Sequence, residues 1–358
     1  MSFAAFFHIA TEHDPYPWQA RLADDPACQS RLIDIPTGLG KTAGVILAWL
    51  WNCVQLNEAG SPKAEAWPRR LVYGLPMRTL VEQTEQEAKR WVENLAKSYP
   101  DTIGSNRPRV VVLMGGEQPE GEERDWDLHP EEPAILIGTQ DMLLSRALNR
   151  GYGMSRYRWP MHFALLNNDA LWVMDEVQLM GVGVETSAQL QGLRAKLETS
   201  ASVHTWWMSA TLDPRQLATI DFCDTAAGLP RETLDEADRR IEAVIQRETA
   251  LKPLQSAESA PASAKNGDVT NYCGALAAEA VTRHREQPDR LTLVIVNRVP
   301  RAQEIFQTLA KELPPDKRLL IHSRFREQER AAQRDALGRL QREGGIVVDT
   351  QAIEAGVD

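Results

Sequence analysis

Lys41 and Thr42 close the run Ile35-Pro36-Thr37-Gly38-Leu39-Gly40-Lys41-Thr42, and the glycines before them decide what chemistry the pair can do. Gly38 and Gly40, with Thr37 beside them, let backbone N–H groups converge on phosphate oxygens. A helix starting directly after the loop favours the same negative charge. The apolar run Leu32 to Ile35 predicts a strand before the loop, and Ala43 to about Asn57 predicts a helix after it. In that setting Lys41 reaches the β- and γ-phosphates of ATP and the Thr42 hydroxyl ligates Mg²⁺. An ordinary glycine turn is the competing reading, and the strand–turn–helix context disfavours it.

A second chemical pair stands at Asp175-Glu176, delivered by the apolar run Leu171-Trp172-Val173-Met174. After a buried strand and downstream of Gly-Lys-Thr, Asp175 is placed to hold Mg²⁺ through water. Glu176 is placed to orient and deprotonate the attacking water. Ahead of the loop, Gln19 in Tyr16-Pro17-Trp18-Gln19 carries an amide that can both donate and accept, as reading the edge of adenine requires.

The elements that position these residues alternate between strand and helix. Strands are predicted at Arg70–Leu75, Val110–Leu113, Ala134–Ile137, Val203–Met208, Leu291–Val296, Leu319–Ile321 and Gly345–Val348. Helices are predicted from Pro76 to about Ser98 and near Gly274–Glu286. Val45 to Val54 is too short to span a bilayer and reads as a buried helix after the loop. Strand ends at Gly115-Gly116 and at Gly138-Thr139-Gln140-Asp141 carry small residues that let backbone donors approach phosphate. Between Gly115 and Pro133 the chain is acidic and reads as a solvated loop. Arg146 to Trp159 interleaves arginines with Tyr152, Tyr157 and Trp159, either to stack and track a nucleic-acid strand or to form an interdomain surface. His13-Asp14 reads as a loop dipeptide, because a metal-dependent phosphohydrolase site needs further ligands from a whole helical domain.

Composition bounds the rest. With 358 residues, 43% hydrophobic and 25% charged, the chain can bury two cores. A net charge of −10 argues against a uniformly basic nucleic-acid binder while leaving room for a local basic channel. Four scattered cysteines without C-x-x-C spacing favour a reduced compartment and no structural zinc. Neither a signal peptide nor a membrane span is expected, which points to the cytoplasm.

Taken in order, these motifs resemble those of superfamily 2 helicases over nearly the whole chain. More narrowly they resemble the helicase part of the CRISPR-associated helicase-nuclease of type I interference systems. The resemblance rests on Ile35–Thr42, on Gly138-Thr139-Gln140-Asp141 with Leu143–Leu148, on Asp175-Glu176-Val177-Gln178-Leu179-Met180, and on Met208-Ser209-Ala210-Thr211-Leu212. The Gly138–Met180 wording is the most specific part. That family usually has His where Gln178 stands, and its HD nuclease domain is absent here.

The resemblance implies roles for further residues. Gln178, Ser209 and Thr211 couple the state of the γ-phosphate to the rest of the motor. Arg78 and Thr79, at the corner after Pro76, hold nucleic-acid backbone, as do Thr139 and Gln140. In the second half Asn297, Arg298, Thr350 and Gln351 approach nucleic acid, and Gly356 and Asp358 approach the nucleotide. The expected fold is α/β, with two tandem RecA-like lobes of mostly parallel sheet. The first spans 1–212, a partly mobile linker 213–272 and the start of the second lobe 273–358. The family continues into an arginine motif that would lie beyond Asp358, so the second lobe is expected to be incomplete at its C-terminus. The expected partner is single-stranded DNA, presented by a CRISPR effector complex. Two rivals stay open: a general DNA-repair or RNA helicase, and a nucleotide-gated binding module without turnover.

Overall fold

A computed structural model describes residues 2–55, 66–115, 121–211, 213–251, 253–254, 256, 269–322 and 324–350. The chain divides into two compact units near residue 250. The first opens with helices α1 (Phe3–Thr11) and α2 (Pro17–Asp24), strand β1 (Arg31–Asp34) and helix α3 (Lys41–Gln55). It continues through β2 (Arg70–Leu75), α4 (Arg78–Ser98), β3 (Arg109–Leu113), β4 (Ala134–Thr139) and α5 (Gln140–Ala147). Next come α6 (Trp159–Leu166), β5 (Ala170–Met174), α7 (Val182–Leu197) and β6 (Val203–Ser209). The short α8 (Cys223–Ala227), β7 (Arg231–Glu232) and α9 (Glu242–Thr249) complete it.

The seven strands form one all-parallel sheet in the order β3-β4-β2-β5-β6-β1-β7. Parallel strands joined by helices are covered on both faces, so they read as continuous apolar runs rather than alternating ones. Successive side chains nevertheless divide between two cores. Ile33, Leu71, Tyr73, Ile137, Val173 and Met208 pack with α1, α2, α3 and α4 on one face. Val72, Leu136, Trp172, Met174 and Trp207 pack with α5 and α7 on the other.

The second unit contains α10 (Val269–Glu286), β8 (Leu291–Ile295), α11 (Val299–Leu309), β9 (Arg318–Ile321), α12 (Glu327–Glu343) and β10 (Gly345–Asp349). Its three described strands are parallel in the order β8-β10-β9. Val294, Ile346 and Val348 pack there against Ala277, Val281, Ala302 and Ile305 of α10 and α11.

Two expectations change. Residues 213–250, expected as the first part of a linker, belong to the first unit. β7 pairs with β1, and Leu234 and Val244 are buried in the α3-side core. The stretch taken as a solvated acidic loop also contributes to the core. Its residues 121–128 form a 3-10 helix with Trp126 buried, and Asp127 is buried against Arg158 and His162. The polar linker run 256–265 lies almost wholly outside the described residues.

Arg70 is the main internal tie of the first sheet's base. Its guanidinium donates to the carbonyls of Leu165 (3.1 Å), Pro130 (2.8 Å) and Asn168 (2.9 Å) while almost fully buried. Arg70→Met keeps the bulk but leaves three carbonyls without that donor. The expected loss is about 3 kcal/mol, read as a lower urea midpoint for unfolding of the first unit. An unchanged midpoint contradicts this assignment.

Candidate nucleotide site

The phosphate loop bridges β1 and α3, at the C-terminal edge of the sheet where open α/β folds bind ligands. Gly38 and Gly40 have φ of 76° and 69°, a left-handed conformation that side chains resist. Lys41 is buried, with Nζ 3.2 Å from the Ile35 carbonyl and 3.8 Å from Glu176 Oε1. It therefore closes the loop on itself and faces the carboxylates at the end of β5.

Register explains how those carboxylates are held. Tyr73 on β2 lies opposite Val173 on β5, and both face the α3 side. Asp175, two residues beyond Val173, emerges on that same side. The Tyr73 hydroxyl donates to Asp175 Oδ2 at 2.7 Å. The Glu176 N–H donates to Asp175 Oδ1 at 2.8 Å. Burial, and then the neighbouring Glu176 charge, push the Asp175 carboxyl up to about 6 despite Lys41. Burial and Asp175 push the Tyr73 hydroxyl well above its ordinary value, so it stays protonated and donates. A buried carboxylate held up by desolvation is a site that a cation stabilises. With Thr42 adjoining, the donor set of hydroxyl and carboxylate fits Mg²⁺ bound beside phosphate.

From Glu176 a chain of hydrogen bonds runs to the end of β6. Glu176 itself has a φ of 54°, unusual for a residue with a side chain and common at functional sites. Gln178 Nε2 donates to Glu176 Oε2 at 2.5 Å, and Ser209 Oγ donates to Gln178 Oε1 at 2.6 Å. The Thr211 N–H donates back to Ser209 Oγ at 2.9 Å. Gln178, Ser209 and Thr211 thus form one relay. Gln19, nearly fully buried, accepts from the Tyr16 N–H and donates to the Gly40 carbonyl at 2.9 Å, joining α2 to the phosphate loop.

The expected nucleic-acid residues fall in separate places. Arg78, Thr139 and Gln140 line a groove of about 640 Å³, together with Gly115, Tyr152 and Gly183. The Arg78 guanidinium donates to the Gly115 carbonyl. Gln140 Oε1 is buried there with no hydrogen-bond donor, and Thr79 Oγ1 is likewise buried and unpaired, though Thr79 does not line the groove. Arg146 is buried and bonded to the Met142 carbonyl, and Arg158 is tied to Asp127, so these two arginines are structural while Tyr152 and Tyr157 stay exposed. In the second unit Asn297 and Arg298 are exposed at the end of β8, and Thr350 follows β10. Gln351, Gly356 and Asp358 lie outside the described residues.

Sequence reasoning missed Tyr73, Asp238 and Arg247. Tyr73 looks like any strand aromatic until β2 is known to lie beside β5. Asp238 accepts from the Trp18 N–H at 2.9 Å across a separation of 220 residues, a pairing with no local signal.

A parallel α/β unit with a glycine phosphate loop facing an Asp-Glu strand end defines a RecA-like nucleotide-binding lobe. The family model for DEAD/DEAH box helicases matches residues 19–220, and the chain belongs to that family. Residues 288–358 match the model for the C-terminal part of the CRISPR-associated nuclease/helicase Cas3. No curated protein matches the chain. Among solved structures, the DUF1998 helicase MrfA bound to DNA is similar with a TM-score of 0.60 and 16% identity, over 99% of this chain and 42% of that one. S. cerevisiae Dbp5 bound to RNA and ADP BeF3 is similar with a TM-score of 0.57 and 15% identity, over 100% and 76%. Mycobacterium smegmatis helicase Lhr bound to ssDNA and AMP-PNP is similar with a TM-score of 0.56 and 17% identity, over 99% and 42%. At these identities the likeness is one of fold: RecA-like helicase lobes.

Tyr73→Phe removes one of the donors to Asp175 without changing the packing of the ring. The expected cost is about 1–2 kcal/mol of stability, as for a buried acceptor losing a partner, measured by urea unfolding. The double variant Tyr73→Phe with Asp175→Asn should lose less than the sum of the two single changes. Strict additivity would show that the two groups do not interact.

Proposed function

We propose that the chain is the motor part of an ATP-dependent helicase that moves on single-stranded DNA. The observation that carries this reading is the relay Lys41–Glu176–Gln178–Ser209–Thr211, which joins the loop lysine, the candidate base and the end of β6. Thr42 and Asp175 are the residues that hold Mg²⁺, whose chemistry there is to neutralise charge on the phosphates. Gly38, Gly40 and Lys41 bind the polyphosphate, and Gln19 reads adenine. The Glu176 carboxylate takes a proton from water as the water oxygen bonds to the γ-phosphorus and the bond to ADP breaks.

Gln178 and Ser209 then report the state of Glu176 to β6. The groove with Arg78, Thr139 and Gln140 receives nucleic-acid backbone, with the Arg78 guanidinium as its source of positive charge. In the second unit the candidate nucleic-acid contacts are Asn297 and Arg298 at the end of β8 and Thr350 after β10, while Gln351, Gly356 and Asp358 lie outside the described residues. The Cas3-like match of residues 288–358 supports DNA as the strand and CRISPR interference as the setting, where an effector complex displaces one strand. No described helix is long and apolar enough to cross a membrane, and a cytoplasmic location accords with this role.

Phosphate release with ATP and Mg²⁺ tests the proposal, measured alone, with single-stranded DNA and with RNA. DNA should stimulate more than RNA. Lys41→Ala should abolish ATP binding, and Glu176→Gln should keep binding while lowering turnover by about 100-fold or more. Gln178→Ala should keep ATP affinity and lose stimulation by DNA. Preferential stimulation by RNA would favour an RNA helicase, and tight ATP-dependent DNA binding without phosphate release would favour a nucleotide-gated binding module. Wild-type turnover in Lys41→Ala would remove the site assignment altogether.

A further inference from the structure

Residues 231–249 lie between the stretches matched by the two family models, and they hold the nucleotide site at both ends. At the adenine end, the fully buried Asp238 accepts from the Trp18 N–H at 2.9 Å and from the Arg21 guanidinium at 3.0 Å. Arg21 also reaches Glu232 at 2.7 Å and Asp235 at 2.5 Å. Trp18 and Arg21 belong to α2 with Gln19, so the helix that presents Gln19 is clamped by this segment. At the phosphate end, Val244 of α9 is buried in the α3-side core, and Arg247 follows one helical turn later on the same side. The Arg247 guanidinium rests on the phosphate loop itself. A Cβ built on Gly38 would coincide with it, Nη2 being the nearest atom.

We propose that Arg247 is a phosphate ligand of the nucleotide site, supplied by the first lobe to a nucleoside di- or triphosphate. The inference rests on the reading of Ile35–Thr42 as a nucleotide-binding loop. A guanidinium presents a planar fork of N–H donors that matches phosphate oxygens two at a time. It lies against the loop whose amides converge on phosphate. Lys41, the cation of the loop, is shared with the Ile35 carbonyl and Glu176, and the carboxylates of Asp175 and Glu176 repel an incoming polyphosphate. A second cation offsets that repulsion. Because Asp238 and Arg247 belong to one short segment, adenine recognition and phosphate binding share a support.

Competition binding against a fluorescent ATP tests this, with ADP and adenosine as competitors. Arg247→Ala should weaken ATP and ADP by about tenfold or more, the effect expected of a lost charged hydrogen bond. Adenosine should compete as well as against wild type, which also shows that the variant is folded. Arg247→Lys should restore part of the affinity, because it keeps the charge and loses the fork. ATP and ADP affinities within twofold of wild type in Arg247→Ala overturn the proposal. Tighter binding overturns it too, since it would make Arg247 an occupant that nucleotide displaces. Absence of ATP binding by the wild-type chain overturns the nucleotide-site reading itself, and this inference with it.

Discussion

Asp175 is a carboxylate buried at the end of a central strand, and the arrangement of the first lobe follows from what that requires. Removing an ion from water costs several kcal/mol unless fixed partners replace the solvent. β5 sits fourth in a seven-stranded sheet with a hydrophobic core on each face, and Asp175 just beyond its end is itself buried. The protein supplies Tyr73 from the neighbouring strand and the Glu176 backbone. Both are neutral donors, and they leave the charge itself uncompensated except by Lys41. With only Lys41 compensating it, the Asp175 carboxylate is one that a cation placed beside it would stabilise.

The same economy shapes the phosphate loop. Gly38 and Gly40 hold left-handed conformations, and the space beside each is already taken by a neighbour's side chain. Gln19 Nε2 stands where a Cβ of Gly40 would press, and Arg247 stands where one of Gly38 would be. Backbone torsion therefore requires glycine at both positions, and a Cβ at either would also displace the end of a neighbouring side chain. The loop is short, but its shape is fixed from outside by α2 and by the segment carrying α9. Loop geometry, α2 and the late segment of the lobe form one mechanical unit.

The fold was largely legible because parallel strands leave continuous apolar runs and helices start after glycine-rich turns. The strand that precedes each motif lies within a residue or two of its expected place, since Thr139 and Ser209 end, and Asp175 follows, strands that are buried at nearly every position. What stayed hidden has one physical cause. Asp238 and Arg247 act on residues some two hundred positions earlier, and Tyr73 meets Asp175 across 102. Such pairs are set by strand order, which local periodicity does not encode. The short β7 gave no periodic signal either, and polar composition made 213–250 resemble a linker. Trp126 and Asp127 were obscured in the same way, as one apolar side chain and one paired charge inside an acidic run.

Gln178 shows how a departure from a family pattern can be read physically. The relay needs one side chain that donates to the Glu176 carboxylate and accepts from Ser209 at the same time. An amide does both with separate atoms, Nε2 and Oε1, and does so at every pH. The histidine that the resembling family usually carries can do both only as one neutral tautomer, and protonation converts its acceptor into a second donor. Protonation would then reverse the hydrogen bond to Ser209, whose hydroxyl can accept as well as donate. Glutamine keeps both hydrogen bonds with one fixed direction at every pH.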